Sequence, residues 1–252
     1  MAARAAERFL NAWYNTGHYD FDRNGEAFLL RCIAKSCPNV ALQVWDVGAH
    51  EGEYAVCVHD MLPAAHVTSF EILPNVAAKI RERGLSADWF MLRTCGLSDK
   101  PGQVTVTSNP EFGTTSSIDP RFGDGWFEHG RVETVVCDVT TIDTLVAQGV
   151  TPPDFLKIDV EGHEAAVLDG ARELLNSPKA PTIIQFEYGD TWIPAGKTLY
   201  DVQRKLEPAG YSVGRLYPKH VAFKTYSFQD EKFRMGNMVA VRDDELRKLL
   251  AG

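Results

Sequence analysis

The chain has 252 residues, 44% of them hydrophobic and 24% charged, so it can bury a full core in one large domain or two small ones. Its formal net charge of −8 argues against a general nucleic-acid-binding protein, which needs a basic surface, but allows a small neutral or cationic ligand. Five scattered cysteines without a CxxC pair disfavour a zinc site, and no stretch resembles a signal peptide or membrane span, so we expect a cytoplasmic protein without a membrane partner.

Residues 1–37 predict two helices joined near residues 14–24. We therefore divide the chain into an N-terminal helical extension, residues 1–39, and a main domain, residues 40–252. In the main domain the sequence predicts strands over residues 42–47, 66–70, 89–94, 155–159 and 182–187, and helices over residues 53–61, 74–83 and 164–175. This alternation is typical of an α/β domain whose doubly wound, mostly parallel sheet carries helices on both faces.

Residues 103–139 interrupt the alternation. Residues 103–107 and 132–138 have the β-branched, alternating pattern of strands, whereas residues 109–130 are rich in Gly, Ser, Thr and Asp. We interpret the latter as an ordered or closing loop over the site. Near the C-terminus, residues 236–241 predict a last antiparallel strand that covers an edge of the sheet.

The first predicted strand of the main domain ends in Asp46 and continues into a turn bounded by Gly48 and Gly52. Gly48 permits a positive φ, and Gly52 lets the backbone approach a ligand closely. In open α/β sheets the ligand crevice lies at this end of the strands. The Gly-x-x-x-Gly spacing differs from the GxGxxG of dinucleotide sites, and Glu51 would place a carboxylate beside a pyrophosphate. An acid such as Asp46 better suits S-adenosylmethionine, which has no phosphate and carries an ammonium group.

Glu71 ends the second predicted strand, at about the position where dinucleotide-type folds place a ribose-binding acid some twenty residues after the loop. A carboxylate there can accept both ribose hydroxyls. Alone, Glu71 or Asp46 could instead cap a helix or end a strand in solvent. Their spacing together favours a nucleoside cofactor.

A second group of charged residues follows the strand at 155–159, in the run Lys157-Ile158-Asp159-Val160-Glu161-Gly162-His163-Glu164. A central parallel strand is buried on both faces, so Lys157 needs an ionic partner there. Lys157 is therefore either half of a structural Lys–Asp pair or a catalytic residue. Asp159 and His163 crowd the carboxyl end of the strand, where substrate should meet cofactor.

These segments resemble the FkbM family of methyltransferases over residues 43–190. The resemblance is carried by Asp46-Val47-Gly48-Ala49 with Gly52, Phe70-Glu71 before Pro74, Gly96-Leu97-Ser98-Asp99 before Gly102, Thr114-Thr115-Ser116-Ser117, Thr141-Ile142-Asp143-Thr144-Leu145, and the run from Lys157 to Glu164 with Leu168 and Gly170. The chain departs from the family at His50, where Asn is frequent, and at Ile72, where Pro is frequent.

The resemblance implies a class I methyltransferase (Rossmann-like) fold, S-adenosylmethionine as cofactor, and O-methylation of a sugar or polyketide hydroxyl. We expect a saccharide or glycosylated metabolite as the acceptor and no nucleic-acid partner. The alternatives are an amine or another natural-product acceptor, a nicotinamide-dependent oxidoreductase, which the loop spacing disfavours, and a non-catalytic binding module. The residues that we predict to bind the cofactor are Asp46, Gly48, His50, Gly52, Tyr54, Glu71, Cys95, Ser116 and Asp159.

Methyl transfer to an alcohol requires a base for the hydroxyl proton. His163 is the best candidate by its intrinsic pKa and Asp159 by its position, while Lys157 and Glu187 complete the predicted catalytic set. His220 is a base candidate from a late loop. In a metal-assisted variant, Asp159 and Glu187 would ligate Mg²⁺, which lowers the pKa of the acceptor hydroxyl. Four aromatic residues are candidates for a sugar-stacking wall or for lid packing, namely Trp126, Phe127, Tyr188 and Trp192.

Overall fold

The structure is a computed structural model that describes residues 2–17, 20–85, 87–108, 117–118 and 133–252. The strands in these ranges are β1 (Gln43–Val47), β2 (His66–Phe70), β3 (Phe90–Arg93), β4 (Gly96–Leu97), β5 (Gly102–Ser108), β6 (Glu133–Thr140), β7 (Phe155–Ile158), β8 (Ile183–Tyr188), β9 (Ser212–Tyr217), β10 (His220–Phe223) and β11 (Gly236–Val241). The helices are α1 (Ala2–Trp13), α2 (Phe21–Asn24), α3 (Glu26–Ser36), α4 (Glu53–Met61), α5 (Pro74–Glu82), α6 (Ile142–Ala147), α7 (Glu164–Asp169), α8 (Arg172–Leu175), α9 (Leu199–Leu206) and α10 (Asp244–Ala251). Two single 3₁₀ turns span Asp190–Trp192 and Phe228–Asp230.

Eight strands form the central sheet in the order β10-β9-β11-β8-β7-β1-β2-β3. The five strands β8, β7, β1, β2 and β3 run parallel to one another, whereas β11, β9 and β10 pair with their neighbours in antiparallel orientation. This confirms the predicted doubly wound, mostly parallel α/β sheet. The prediction that residues 236–241 cover an edge is wrong, because β11 pairs with β8 on one side and β9 on the other. The outer strand on that side is β10, in a hairpin with β9 that the sequence pattern did not reveal.

The central sheet is buried between two apolar layers, as a parallel sheet requires. On one face, Leu156 and Ile158 of β7 pack with side chains of α6 to α9. On the other face, Phe155 of β7 packs with side chains of α3, α4 and α10. Asp46, Lys157 and the Gln185 of β8 are paired in register across the central strands, so three polar side chains share the second face.

Two of the predicted helical regions differ from the structure for local reasons. The N-terminal extension holds a third, single-turn helix, α2, because Asp20 caps it and Gly25 ends it at φ +98°. The helix predicted over residues 164–175 is divided at Gly170, whose carbonyl accepts a hydrogen bond from Asp143 N at 2.9 Å. A Cβ at Gly170 would lie 2.0 Å from Ser98 O, so only glycine fits this approach of two chain segments.

A small sheet of order β4-β6-β5 stands beside the main sheet. Its β5 also forms a bridge between Thr107 and Ser117. Of the loop predicted over residues 109–130, the structure describes Ser117 and Ile118, and the remainder lies outside the described residues. No helix in the described ranges is long and apolar enough to cross a membrane.

Candidate active site

Lys157 forms the centre of a buried polar cluster beneath the carboxyl ends of β1 and β7. Its Nζ lies 3.0 Å from Asp46 Oδ1, 3.3 Å from Gly48 O and 3.7 Å from Asp159 Oδ2. Burial alone would lower the pKa of Lys157, but the negative charges of Asp46, Asp159 and Glu26 outweigh it and hold that pKa above its ordinary value. Lys157 therefore stays protonated at neutral pH. It can orient Asp159 and the Gly48 turn, but it cannot accept a proton.

The cluster continues through Gln185 to the N-terminal helices. Gln185 Nε2 donates to Glu26 Oε1 at 2.7 Å, and Tyr54 OH donates to Gln185 Oε1 at 3.2 Å. Asn24 Nδ2 donates to Glu26 Oε2 at 2.6 Å. Burial raises the pKa of Glu26. Glu26 and Gln185 were not predicted as site residues. Gln185 lies between apolar residues of β8, and a glutamine in such a strand indicates a buried polar contact.

The turn after β1 is shaped by residues with positive φ. Gly48 has φ +83° and His50 +49°. A Cβ at Gly48 would lie 1.8 Å from Asp159 O, so glycine is required for the turn to touch the end of β7. Gly52 has φ +85° at the N-cap of α4, where it starts the helix. The positive φ that the sequence predicted at Gly48 is present.

Glu71 is held rigidly where β2 ends. Its Oε2 accepts a hydrogen bond from His50 N and its Oε1 one from Leu73 N, both at 2.9 Å. Burial raises the pKa of Glu71 to about 7. Apolar side chains surround the space beside it, contributed by Ile72, Leu73, Leu97, Val106 and Ile118. A carboxylate with remaining acceptor capacity beside an apolar slot fits the ribose and base of a nucleoside.

Glu164 holds the turn that follows β7. Its carboxylate accepts hydrogen bonds from Val160 N at 2.9 Å and from Gly162 N at 3.1 Å, and the side chain is fully buried. Burial raises the pKa of Glu164 to about 8. Glu161 and Gly162 adopt φ +56° and +106° in this turn. The buried acid thus fixes the backbone that carries Asp159 and His163.

His163 is oriented by the loop that follows β4. Its Nε2 lies 2.9 Å from Ser98 Oγ, and the Ser98 hydroxyl donates to Asp99 Oδ1 at 3.1 Å. This contact brings the Ser98-Asp99 pair next to the run of residues that follows β7. It fixes the imidazole ring at the wall of the cavity.

A cavity of about 830 Å³ opens over these groups, a size typical of ligand sites. The predicted site residues that line it are Gly48, His50, Tyr54, Glu71, Cys95, Lys157, Asp159, His163 and Glu187. Asp46 is fully buried below the cavity, and Gly52 lies at the helix start behind it, so neither lines it. Ser116 lies outside the described residues.

Two further groups of candidates lie elsewhere. His220 is exposed on the outer strand β10, where its ring stacks on Tyr217, and it does not line the cavity. Tyr188 and Trp192 are buried in the apolar core with 1% and 0% exposure, so they cannot form a sugar-stacking wall. Trp126 and Phe127 lie outside the described residues.

Three carboxylates approach one another at the cavity. Oxygen atoms of Asp159, Glu164 and Glu187 lie within 4.8 Å of one another. Glu164 already accepts backbone hydrogen bonds with both oxygens. Asp159 and Glu187, at the ends of the neighbouring strands β7 and β8, are therefore the pair that fits a divalent cation with oxygen ligands.

The chain is similar in sequence to known proteins. The sequence profile of the methyltransferase FkbM domain family matches residues 46–213. The chain is 27% identical over 158 residues to the hexuronic acid methyltransferase AglP of Haloferax volcanii, a match that covers 62% of this chain and 60% of that protein. The chain thus spans about 60% of the length of this curated relative.

Two methyltransferases are among the solved structures that were superimposed on this chain. The crystal structure of methyltransferase FkbM from Methylobacillus flagellatus superimposes with a TM-score of 0.51 at 17% identity, over 79% of this chain and 43% of that one. The S-adenosylmethionine-dependent methyltransferase from Agrobacterium tumefaciens gives a TM-score of 0.48 at 13% identity, over 86% and 61% of the two chains. The first of these likenesses shows the shared fold.

Proposed function

Because this chain belongs to the FkbM methyltransferase family, we propose that it transfers the methyl group of S-adenosylmethionine to a hydroxyl of a saccharide or glycosylated metabolite. The family supports methyl transfer and the cofactor. The saccharide acceptor is supported by the similarity to AglP, whose name states that it methylates a hexuronic acid. An amine or another natural-product acceptor is the alternative that keeps the same chemistry.

The observation that carries the proposal is the fixed carboxylate of Glu71 beside the apolar slot. We assign the ribose hydroxyls to Glu71 and the adenine to the slot lined by Leu97, Val106 and Ile118. The ammonium end of the cofactor then lies toward Asp159, whose charge is of opposite sign. When bound, S-adenosylmethionine supplies the activated methyl group.

The chain's own residues align the acceptor and remove its proton. We assign orientation of the acceptor hydroxyl to Asp159, which Lys157 holds at the end of β7. We assign the receipt of the proton to His163, whose ring is anchored by Ser98. Alignment of two bound reactants contributes up to about 7–11 kcal/mol, and a positioned base roughly 10²–10⁴-fold in rate.

An acceptor screen with methyl-labelled S-adenosylmethionine tests this function. The screen compares free sugars, glycosides, phenols, amines and small peptides. We expect label in hydroxyl groups of a saccharide or glycoside. Label in amines or peptides alone would overturn the O-methylation of saccharides while leaving methyl transfer in place.

A metal-assisted variant is compatible with the same residues, since Asp159 and Glu187 bring carboxylate oxygens together. Mg²⁺ held there would lower the pKa of the acceptor hydroxyl. Chelation separates the two mechanisms. Loss of turnover that Mg²⁺ restores would support the metal-assisted variant, whereas unchanged turnover would leave proton removal to His163.

A further inference from the structure

Glu26 extends the cavity wall beyond the family domain. It lies at the start of α3, twenty residues before the matched segment begins at residue 46, and it lines the cavity together with Phe21. Glu187 and Met235 line the cavity as well. The residues to which we assign the cofactor's ribose and base come instead from the end of β2, from β4 and β5, and from Ile118. We therefore place Glu26 at the acceptor end.

The carboxylate of Glu26 is held by neutral donors. Its oxygens accept hydrogen bonds from the side-chain amides of Asn24 at 2.6 Å and Gln185 at 2.7 Å. The nearby cation Lys157 contacts Asp46, Asp159 and the Gly48 carbonyl instead. Glu26 is thus fixed in place by amides, while the single cation Lys157 is shared among the charges of Asp46, Asp159 and Glu26.

Among the described residues that line the cavity, few could stabilise a bound anion. It includes six carboxylates, and Lys157 is the one lysine or arginine among these lining residues. By sequence, residues 109–132 add four acids and two arginines, so this segment brings no positive excess. An anionic acceptor that binds beside Glu26 and Asp159 would be repelled by their negative charges in a partly desolvated site.

From this arrangement we infer that Glu26 makes the enzyme select neutral or cationic acceptors against anionic ones. The inference rests on the proposed function and narrows its substrate class to sugars without a carboxylate or phosphate near the reacting hydroxyl. It therefore separates this chain from a hexuronic acid methyltransferase. Glu26 acts as a specificity-determining residue, because the repulsion applies only to charged acceptors.

Rates of label transfer to matched acceptors test the inference. The acceptors are a neutral hexoside, the corresponding hexuronate, the methyl ester of that hexuronate and an amino sugar of the same series. For the wild-type protein we expect kcat/KM for the hexuronate to be at least about tenfold lower than for its neutral methyl ester. Equal rates for the ester and the free acid, or a preference for the acid, would overturn the inference and leave the proposed function intact.

The Glu26→Gln variant assigns the selectivity to this residue. We expect the ratio of kcat/KM for the hexuronate to kcat/KM for the neutral hexoside to rise about threefold or more. The matched control is Glu207→Gln at the exposed end of α9, which should leave the ratio at its wild-type value. An unchanged ratio in Glu26→Gln that still binds cofactor would contradict the role of Glu26. No label in any saccharide would instead remove the proposed function, and this inference with it.

Discussion

At the scale of single residues, buried acids have two different tasks in this cavity. Glu164 has both oxygens turned to backbone N–H groups and shapes a turn. Glu71 accepts one backbone hydrogen bond on each oxygen and still lines the cavity, so it has acceptor capacity toward a ligand. The same residue type is therefore structural in one place and, by our proposal, ligand-binding in the other.

We predict that Glu71→Ala weakens binding of S-adenosylhomocysteine by roughly 1–3 kcal/mol, the cost of leaving ligand hydroxyls without their acceptor. Titration calorimetry measures the change. Glu82→Ala on the exposed side of α5 is a control that should keep the wild-type affinity. Unchanged affinity in a folded Glu71→Ala protein would return Glu71 to a purely structural role.

The raised pKa values of Glu71 and Glu164 predict a pH dependence of stability. Their folded-state values of about 7 and 8 lie above the ordinary 4.5, so the folded chain binds more protons than the unfolded chain in this window. The free energy of unfolding should therefore fall as pH rises from about 5 to 8. Urea denaturation at several pH values measures it, and Glu71→Gln should flatten the slope. A stability that rises over this range would contradict the burial argument.

The catalytic prediction concerns His163. His163→Ala should lower kcat by roughly 10²–10⁴-fold while cofactor affinity stays close to wild type, because a positioned base acts on the acceptor alone. Ser98→Ala should give a smaller loss, since the ring is kept but its 2.9 Å anchor is removed. Single-turnover rates with saturating acceptor separate these effects from binding. Near-wild-type turnover of His163→Ala would move the base to Asp159 or Glu187.

At the scale of elements, the site is assembled by turns at the ends of parallel strands. The Gly48 turn and the Glu161–Gly162 turn follow adjacent strands, and Gly48 touches the backbone of Asp159. Each turn needs residues in the left-handed region. The geometry of the cavity therefore depends on backbone positions as much as on its charged side chains.

A matched pair of glycine variants tests this dependence. Gly84→Ala has φ +70° and open space around the added Cβ, so it should cost only about 1–2 kcal/mol of backbone strain. Gly48→Ala carries similar strain and also places its Cβ against Asp159 O, which should cost about 1–3 kcal/mol more and abolish cofactor binding. Thermal unfolding with and without S-adenosylhomocysteine measures both. Equal losses in the two variants would contradict the close approach.

Elements with strong local patterns were predictable from the sequence. Strands β1, β2, β7 and β8 lie within a residue or so of their predicted ranges, because apolar and β-branched residues predominate in each of them. The acids Asp46, Glu71 and Asp159 were predicted as site residues because they lie at or directly after the ends of these strands. The insertion of β11 between β8 and β9 was not predictable, since pairing order depends on tertiary packing that no local pattern contains.

The residues that sequence reasoning missed are held in place by distant contacts. Glu26 reaches the site only because α3 packs on the sheet and meets Gln185, 159 positions away. From the sequence, Tyr188 and Trp192 were candidates for a wall that stacks on a sugar. In the structure they are buried in the core beside Phe186. Only the three-dimensional arrangement separates such core aromatics from ligand-facing ones.

At the scale of the whole molecule, the segment before β1 is integrated with the family domain. Arg215 of β9 donates to Tyr14 O at 2.7 Å and to Met235 O at 2.8 Å. It thereby links the residue that follows α1 to the residue that precedes β11. Leu29 and Ile33 of α3 are fully buried against the sheet. The cavity is therefore lined by residues on both sides of the matched segment 46–213, among them Glu26, to which we assign acceptor selectivity.

The central claim is that the crevice beside Glu71 binds a sulfonium nucleoside cofactor and not a dinucleotide. Titration calorimetry of the wild-type protein with S-adenosylmethionine, S-adenosylhomocysteine and NAD tests it most directly. We predict micromolar binding of the first two, whose ribose hydroxyls we assign to Glu71, and no binding of NAD, because the turn lacks the GxGxxG spacing of dinucleotide sites. Tight binding of NAD with no response to S-adenosylhomocysteine would contradict the account.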